Sequence, residues 1–318
     1  MLRFAVAVLL LCASHAFAQA WPGKPIRWIV PTGPGSAVDV NARRVAPKLA
    51  EALGQPVIVE NKAGANSMLG AREAARAAPD GYTIYQAVIN NALNDVLAPD
   101  ACCVLNEKLV PVTRLYTTPL IMVVNLEVPA KDVQEYVALA KAKPASLTYA
   151  SGGPGSITQM LGELLKHTAG IDVREIPYKA IGAELPDLTG GHVATAYLSP
   201  VVIREQVRAG RLRALAVASR ERLSNLPDIP TMAEAGFPGI EASGWNGIFV
   251  PAGTPPAIIN RLQEEIARVL HLKEVQDDAY QLGTVAGGEK PDDFAAFVRG
   301  EKAKWSEVAK QAGITIAK

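Results

Sequence analysis

Between residues 26 and 87 short apolar runs alternate with amphipathic segments, and that alternation leaves the chain few folds. Ile26–Val30 (IRWIV), residues 57–60 (VIVE) and residues 82–87 (YTIYQA) read as strands. Ala37–Leu53 places Val38, Ala42, Val45 and Leu49 three or four apart, a helical period. Gly54 stops that helix and Pro56 follows it. Residues 67–77 form a second helical segment, closed by the turn Pro79-Asp80-Gly81. The order β-α-β-α-β implies an α/β fold, a parallel sheet with helices on its faces.

The pattern blurs over 88–118, where Pro99, Pro111 and then Pro119 interrupt it, and restarts after about residue 125. Residues 120–125 (LIMVVN), 147–150, Arg174–Pro177, 193–198 and 212–218 read as strands. Residues 131–143, 156–168 and 183–188 read as helices, with a further helix between the last two strands. A restart of this kind means a second unit of the same type, and 318 residues suit two domains. A Pro- and Gly-rich stretch over 226–239 precedes Ser243–Pro251, which reads as extended. Thr254 is the expected cap of a helix with Pro255 in its first turn. That helix carries Ile258, Leu262, Ile266 and Val269 on one face, and Pro291–Ala312 is helical as well. With few strands of their own, these last helices would return to the first sheet. The expected division is 21–122 plus 245–318 for a discontinuous first lobe and 123–244 for the second. Two connections then cross between lobes and make a hinge, with Trp245 as hinge packing.

Residues 1–20 stand apart. Arg3, the apolar run FAVAVLLLCA and the small residues of HAFAQA form a secretory signal-peptide pattern, with cleavage after Ala18 or Ala20. No later run is long enough to span a bilayer. Removal of this segment takes away Arg3 and leaves 31 basic and 31 acidic residues. A neutral chain has no basic excess to follow a phosphate backbone, which argues against nucleic acid as a partner. Cys102 and Cys103 are adjacent in PDACCVL; a vicinal disulfide and two buried thiols are both open readings.

The string GPGS occurs twice, at Gly33–Ser36 (numbers 33–36) and at 153–156, each time between a strand and a helix. Ser36 and Asp39 have the S-x-x-D spacing of a capping box, and Ser156 and Gln159 have the S-x-x-Q form. The serine oxygen would accept the N3 amide, and the Asp or Gln would reach back to the serine N–H. Asp39 is therefore given a structural, capping role. A helix start offers unpaired N–H groups and about half a positive charge, enough to hold a carboxylate without Lys or Arg. Two such starts facing one cleft suit a small molecule with one or two acidic groups. In open α/β sheets ligands sit at the carboxyl ends of the strands, where both loops fall. A third candidate start is the turn before residue 67, opened by Asn66 or Ser67. Tyr178, after a strand, is a further ligand candidate.

Competing chemistries fit less well. Gly33-Pro34-Gly35-Ser36-Ala37-Val38 imitates a dinucleotide fingerprint, and Glu60 imitates its ribose-binding acid, but the third small position is Val38. His167, His192 and His271 are scattered without metal-ligand spacing, and no G-x-S-x-G, P-loop or H-E-x-x-H occurs. No metal or cofactor is expected. A hydrolase with a dispersed Ser–His–Asp site remains an alternative.

At this point a family is recognisable. WPGKPIRWIVP, ALGQPVIVENKAGA, AAPDGYT, IPYKA, AGRLRALAVAS, LPDIPTMAEAGFPG and FVPAGTP resemble the periplasmic receptors of tripartite tricarboxylate transporters, the Bug receptors, over nearly the whole chain after residue 20. The resemblance implies a type II periplasmic binding-protein fold, two Rossmann-like lobes joined by a two-strand hinge. It implies binding without catalysis, and delivery of a small carboxylate to membrane permease subunits by a periplasmic protein, expected to be a monomer. Carried over by position, the ligand-binding set is Thr32, Gly33, Pro34, Gly35 and Ser36, with Asn66 and Ser67, in the first lobe. In the second it is Ser151, Gly153, Gly155, Ser156, Ile157 and Gln159, with Tyr178 and Ser199. The sequence departs from the family pattern at Thr32, Gln159, Leu198 and Ser199, which points to a less charged or partly apolar ligand such as an aromatic acid. A ligand-presenting role in signalling is the second reading.

Overall fold

The computed structural model describes residues 21–98, 105–178 and 184–314; the leader segment and the Cys102–Cys103 pair lie outside the described residues. In chain order the first unit runs β1 (Ile26–Val30), α1 (Ala37–Leu53), β2 (Val57–Asn61), α2 (Met68–Ala75), β3 (Thr83–Val88), α3 (Ile89–Leu97) and β4 (Leu109–Pro119). The second runs β5 (Ile121–Asn125), α4 (Val133–Ala142), β6 (Thr148–Ser151), α5 (Ile157–Ala169), β7 (Arg174–Pro177), α6 (Leu185–Thr189), β8 (Thr195–Leu198), α7 (Pro200–Arg208) and β9 (Leu212–Val217). The chain closes with β10 (Ser243–Pro251), α8 (Pro256–Leu270), α9 (Lys273–Leu282), β11 (Val285–Ala286) and α10 (Pro291–Ala312).

The strands form two sheets, ordered β11-β4-β10-β3-β1-β2 and β7-β6-β8-β5-β9. Neither is purely parallel, which corrects the expectation from β-α alternation. β1 is parallel to β2 and β3, and β6 is parallel to β7 and β8. β10 runs antiparallel to β3 and β4, and β5 runs antiparallel to β8 and β9. The reason is the route of the chain. β5 and β10 are the strands that arrive from the other unit, so neither enters through a right-handed βα crossover. Each sheet thus repeats one order of five strands, β2-β1-β3-β10-β4 in the first and β7-β6-β8-β5-β9 in the second, and the first sheet adds β11 beyond β4.

Two of the prolines that obscured this stretch, Pro111 and Pro119, are accommodated inside an eleven-residue strand, β4, while Pro99 lies outside the described residues. Pro111 stands opposite Phe249 beside a register shift, and Pro119 is the strand's last residue; both are places where a missing N–H is tolerated. The N-terminus of α8 also differs from expectation. The Thr254 hydroxyl donates to Pro251 O at 2.7 Å, Pro255 is the cap, and the helix begins at Pro256.

At the crossing, Leu120 alone separates β4 from β5. Leu120 N donates to Ala242 O, Ala218 N to Leu120 O and Ala242 N to Ala218 O, so the two crossing segments lie side by side. A third element joins the units: α10 packs on β4 and α3 of the first and on α5 of the second. One continuous apolar cluster therefore runs from Tyr85, Trp245, Phe294 and Trp305 to Met122, Tyr149 and Leu161. Separate clusters fill the far faces, around Trp28 and Leu49 under α1 and α8, and around Val123 and Ile203 under α7.

Candidate functional site

Each GPGS string is a tight turn ending in a helix cap. Ser36 N donates to Gly33 O at 3.3 Å and Ser156 N to Gly153 O at 3.1 Å. Proline occupies the second position and glycine the third, at φ 80° for Gly35 and 75° for Gly155. That is the type II turn, whose third residue needs positive φ and so glycine. Ser36 and Ser156 then take extended backbones, φ −66° and −81°, as N-caps. Their hydroxyls accept from Asp39 N and Gln159 N, both at 3.2 Å.

The reach-back half of the expected capping box is displaced by one residue. Asp39 Oδ2 accepts from Gly35 N at 2.9 Å, and Gln159 Oε1 accepts from Gly155 N at 2.8 Å. The physical cause is the turn itself, which has already spent the serine N–H on the glycine carbonyl. One consequence bears on ligand binding: the Gly35 and Gly155 amides are engaged internally. The amides of Ala37, Val38, Ile157 and Thr158, at the first two positions of each helix, have no acceptor among the described residues and remain for a ligand.

Each loop is braced by a side chain from the neighbouring strand, and both braces escaped the sequence reading. In the first unit Asn61 Nδ2 donates to Thr32 O at 3.0 Å and to Asp39 Oδ1 at 2.8 Å, and Arg43 Nε adds a bond to Asp39 Oδ1 at 3.0 Å. Thr32 Oγ1 lies 2.6 Å from Ser36 Oγ. Burial pushes Asp39 up, but the Gly35 amide, Asn61 and Arg43 outweigh it and hold the carboxyl below its ordinary range. In the second unit Glu175 accepts from Ser151 Oγ and, at 3.1 Å, from Gln159 Nε2. Ser151 Oγ also lies 3.0 Å from Gly153 N, and Thr158 Oγ1 accepts from Gly152 N at 2.8 Å. The only clue in sequence was position, a polar residue in the strand beside each loop strand. Burial differs: Pro34 and Gly35 are exposed, whereas Gly155, Ser156 and Ile157 are buried.

Ser67 stands at the N-cap position of α2, as expected, but its side chain does not cap the helix. Ala65, Asn66 and Ser67 are all left-handed, at φ 47°, 50° and 72°, and Ser67 makes no side-chain cap bond. The turn is held from α3 instead. Asn66 Nδ2 donates to Asn94 Oδ1, Asn94 Nδ2 to Asn66 O, and Asn90 Nδ2 to Asn66 Oδ1, all at 2.8–2.9 Å. The Tyr85 hydroxyl lies 3.1 Å from Ser67 O. Tyr178 is likewise committed: its hydroxyl donates to Asp187 Oδ2 at 2.7 Å, and burial together with that carboxylate pushes the phenol up to about 12. Its backbone still borders the second loop, since Tyr178 N donates to Ser151 O. Ser199 is the N-cap of α7 with no side-chain cap bond, while Leu198 is fully buried. Trp245 is 2% exposed and meets Phe294 and Phe297 edge-on, both at 5.8 Å. Next to it Asn246 Oδ1 accepts from Gln86 Nε2 at 2.9 Å, and the same amide donates to Val38 O at 3.3 Å, linking the start of α1 to the incoming strand.

The loop residues predicted from sequence therefore gather into three networks, two in the first unit and one in the second, while the side chains of Tyr178, Ser199 and Trp245 stand outside them. No hydrogen bond among the described residues joins a first-unit network to the second-unit loop. Two cavities, of about 300 and 580 Å³, are lined by other residues. Glu60 is taken up by Arg27, whose Nε and Nη2 meet its two oxygens at 3.0 and 2.8 Å, which removes the imitation of a ribose-binding acid. Among the described residues no group of three or more His, Cys, Asp or Glu is placed to hold a metal ion, and no helix is long and apolar enough to cross a membrane.

A model of the tripartite tricarboxylate transporter family receptor matches residues 41–314. The chain belongs to that family. BugT of Bordetella pertussis is similar to this receptor at 35% identity over 303 residues, 95% of this chain and 93% of BugT. Among solved structures, R. palustris Rpa4515 with adipate shares 29% identity at a TM-score of 0.79, covering 93% of this chain and 99% of that one. MatC from Rhodopseudomonas palustris, with bound malate, also shares 29% identity, at a TM-score of 0.78, covering 91% and 99%. The family and these neighbours are solute-binding receptors rather than enzymes, and the receptor has their two-sheet α/β architecture of type II form.

Proposed function

We propose that this receptor, exported to the periplasm with residues 1–20 removed, captures a small carboxylate between two lobes and presents it as a monomer to the permease subunits of a tripartite transporter. The lobes are 21–122 plus 245–318 and 123–244, turning about the segments at Leu120 and Ala242. The observation that carries this reading is the matched pair of capped helix starts, with two unspent amides each, at Ala37 and Val38 and at Ile157 and Thr158. These amides and the helix dipole supply the attraction that a guanidinium would supply elsewhere. Two of the similar solved structures, Rpa4515 and MatC, hold adipate and malate, both small carboxylates.

Behind each loop stands a carboxylate, Asp39 in one lobe and Glu175 in the other. Such a site favours few negative charges on the ligand, which supports a mono- or aromatic acid over citrate. Ser199, whose hydroxyl makes no cap bond, is assigned to the second lobe's ligand set from its place at the end of β8.

Ala37→Pro tests the amide contact cleanly. Proline is favoured at the first helical position, the preceding Ser36 is already extended, and Ala37 is exposed, so the fold is kept while one N–H is lost. Equilibrium dialysis of the wild type against benzoate, adipate, malate and citrate is expected to show saturable binding, with benzoate preferred over citrate. Ala37→Pro is expected to weaken it about tenfold, the worth of roughly one net hydrogen bond to a charged group. Binding of none of the four acids, or an Ala37→Pro variant that binds as the wild type does, rejects the proposal.

A further inference from the structure

The cavity of about 580 Å³ lies at the hinge, away from both GPGS loops. Its walls come from every part that must shift when the lobes turn: Arg114 and Thr117 on β4, Ala218 after β9, Ala242 in the returning segment, and Phe297 and Gly300 on α10. Its size is within the range of small-molecule sites, about 300–1,000 Å³.

Its chemistry is that of a receptor for an apolar body with one acidic end. The Phe297 ring, Ala218, Ala242 and the bare Gly300 backbone form apolar surface. The Arg114 guanidinium lies over the Phe297 ring, 4.4 Å from its centroid. Its Nε is 3.0 Å from Glu289 Oε1 but not aligned for a hydrogen bond, and its terminal nitrogens have no acceptor among the described residues. Thr117 Oγ1 is buried without a partner, and Trp245 Nε1, on the residue directly across the strand pair, is buried without one as well. Gly300 stands in the middle of α10, and a Cβ built there would meet nothing within 4 Å. The remaining charges are matched: Arg220 with Glu241, and Lys304 with Glu301. Matched charges leave no excess for a polyanion, while Arg114 still has directional donors to offer.

We propose that this hinge cavity is a second binding site, for a small organic monoanion with an aromatic or aliphatic body, its acidic group on Arg114 and its body on Phe297. Because both lobes contribute walls, occupation is linked to lobe rotation, and occupant and cleft ligand alter each other's affinity by one common factor. Binding at the cavity is independent of the function proposed above; only the linkage rests on it.

The probe is 4-bromobenzoate, soaked into crystals of the full mature chain and titrated by calorimetry. An anomalous bromine peak within the cavity is expected, and it should vanish in Gly300→Leu, whose side chain would enter the open space above Gly300 and obstruct the site. Leucine is the better helix former, so the melting temperature of Gly300→Leu should be unchanged or raised. Ala37→Pro should leave this peak in place, whatever it does to binding between the lobes. Absence of the peak in the wild type, or its persistence in Gly300→Leu, overturns the site. A cleft-ligand affinity that does not move when the cavity is saturated overturns the linkage, and failure of cleft binding alone would reject only the earlier proposal.

Discussion

Asp39 and Gln159 hold equivalent places in the two loops, yet one is charged and the other neutral, and their surroundings account for the difference. Asp39 receives an amide, a carboxamide and a guanidinium, all donors. Gln159 must accept from Gly155 N and also donate to Glu175, which a carboxamide can do and a carboxylate cannot. Asp39→Asn should cost about 1–2 kcal/mol at pH 7, the difference between charged and neutral hydrogen bonds. The pH dependence follows from the lowered Asp39 carboxyl. Its contribution is complete above the unfolded value, near 3.8, and is lost as pH falls through the still lower folded value. Urea titrations of wild type and Asp39→Asn should differ at pH 7 and converge once pH has fallen below the folded value; a gap of undiminished size in acid strong enough to protonate the carboxyl would reject the charge as its origin. The serine caps were legible because their partners lie three residues away. Asn61 and Glu175 were not, because a brace from the next strand depends on sheet order that no local pattern encodes.

At the scale of elements, the start of α2 shows a local signal overruled from a distance. Asn66-Ser67 before an apolar residue has the composition of a cap, but the asparagines of α3 pull the backbone into three consecutive left-handed residues. Each non-glycine residue in that region costs about 1–2 kcal/mol. Ala65 is exposed and has no side chain with which to offset the cost. Ala65→Gly should therefore raise stability by about 0.5 kcal/mol, after the added freedom of glycine in the unfolded chain is subtracted. Ala65→Val should lower it by more than that, and chemical denaturation of the pair in the opposite order would contradict the left-handed turn. The same principle separates what was readable elsewhere. Helices α1, α5 and α10 have apolar periods written in their own residues. The incoming strands β5 and β10 take their antiparallel direction from the route between units, and β4 hides its prolines at a register shift and at its end.

On the scale of the whole molecule, the two sheets imply two units but the core does not stop between them. The apolar cluster containing Trp245, Phe294 and Trp305 continues through α3, α5 and α10 to Tyr149 and Leu161. A two-strand hinge alone would let each lobe melt separately. A shared core makes each lobe's stability depend on the other, since unfolding either exposes apolar surface on its neighbour at about 25 cal/mol per Å². Calorimetry of the mature chain should then give one transition, with calorimetric and van't Hoff enthalpies equal. A fragment of residues 123–244, stripped of α10, should lack a cooperative transition. A saturating carboxylate that bridges both loops should move the single transition upward as a whole, by about 2.7 kcal/mol at a hundred times its Kd. Two resolved transitions, with ligand shifting only one, would mean that the core is divided at Leu120 and that the loops of the two lobes do not grip a common ligand.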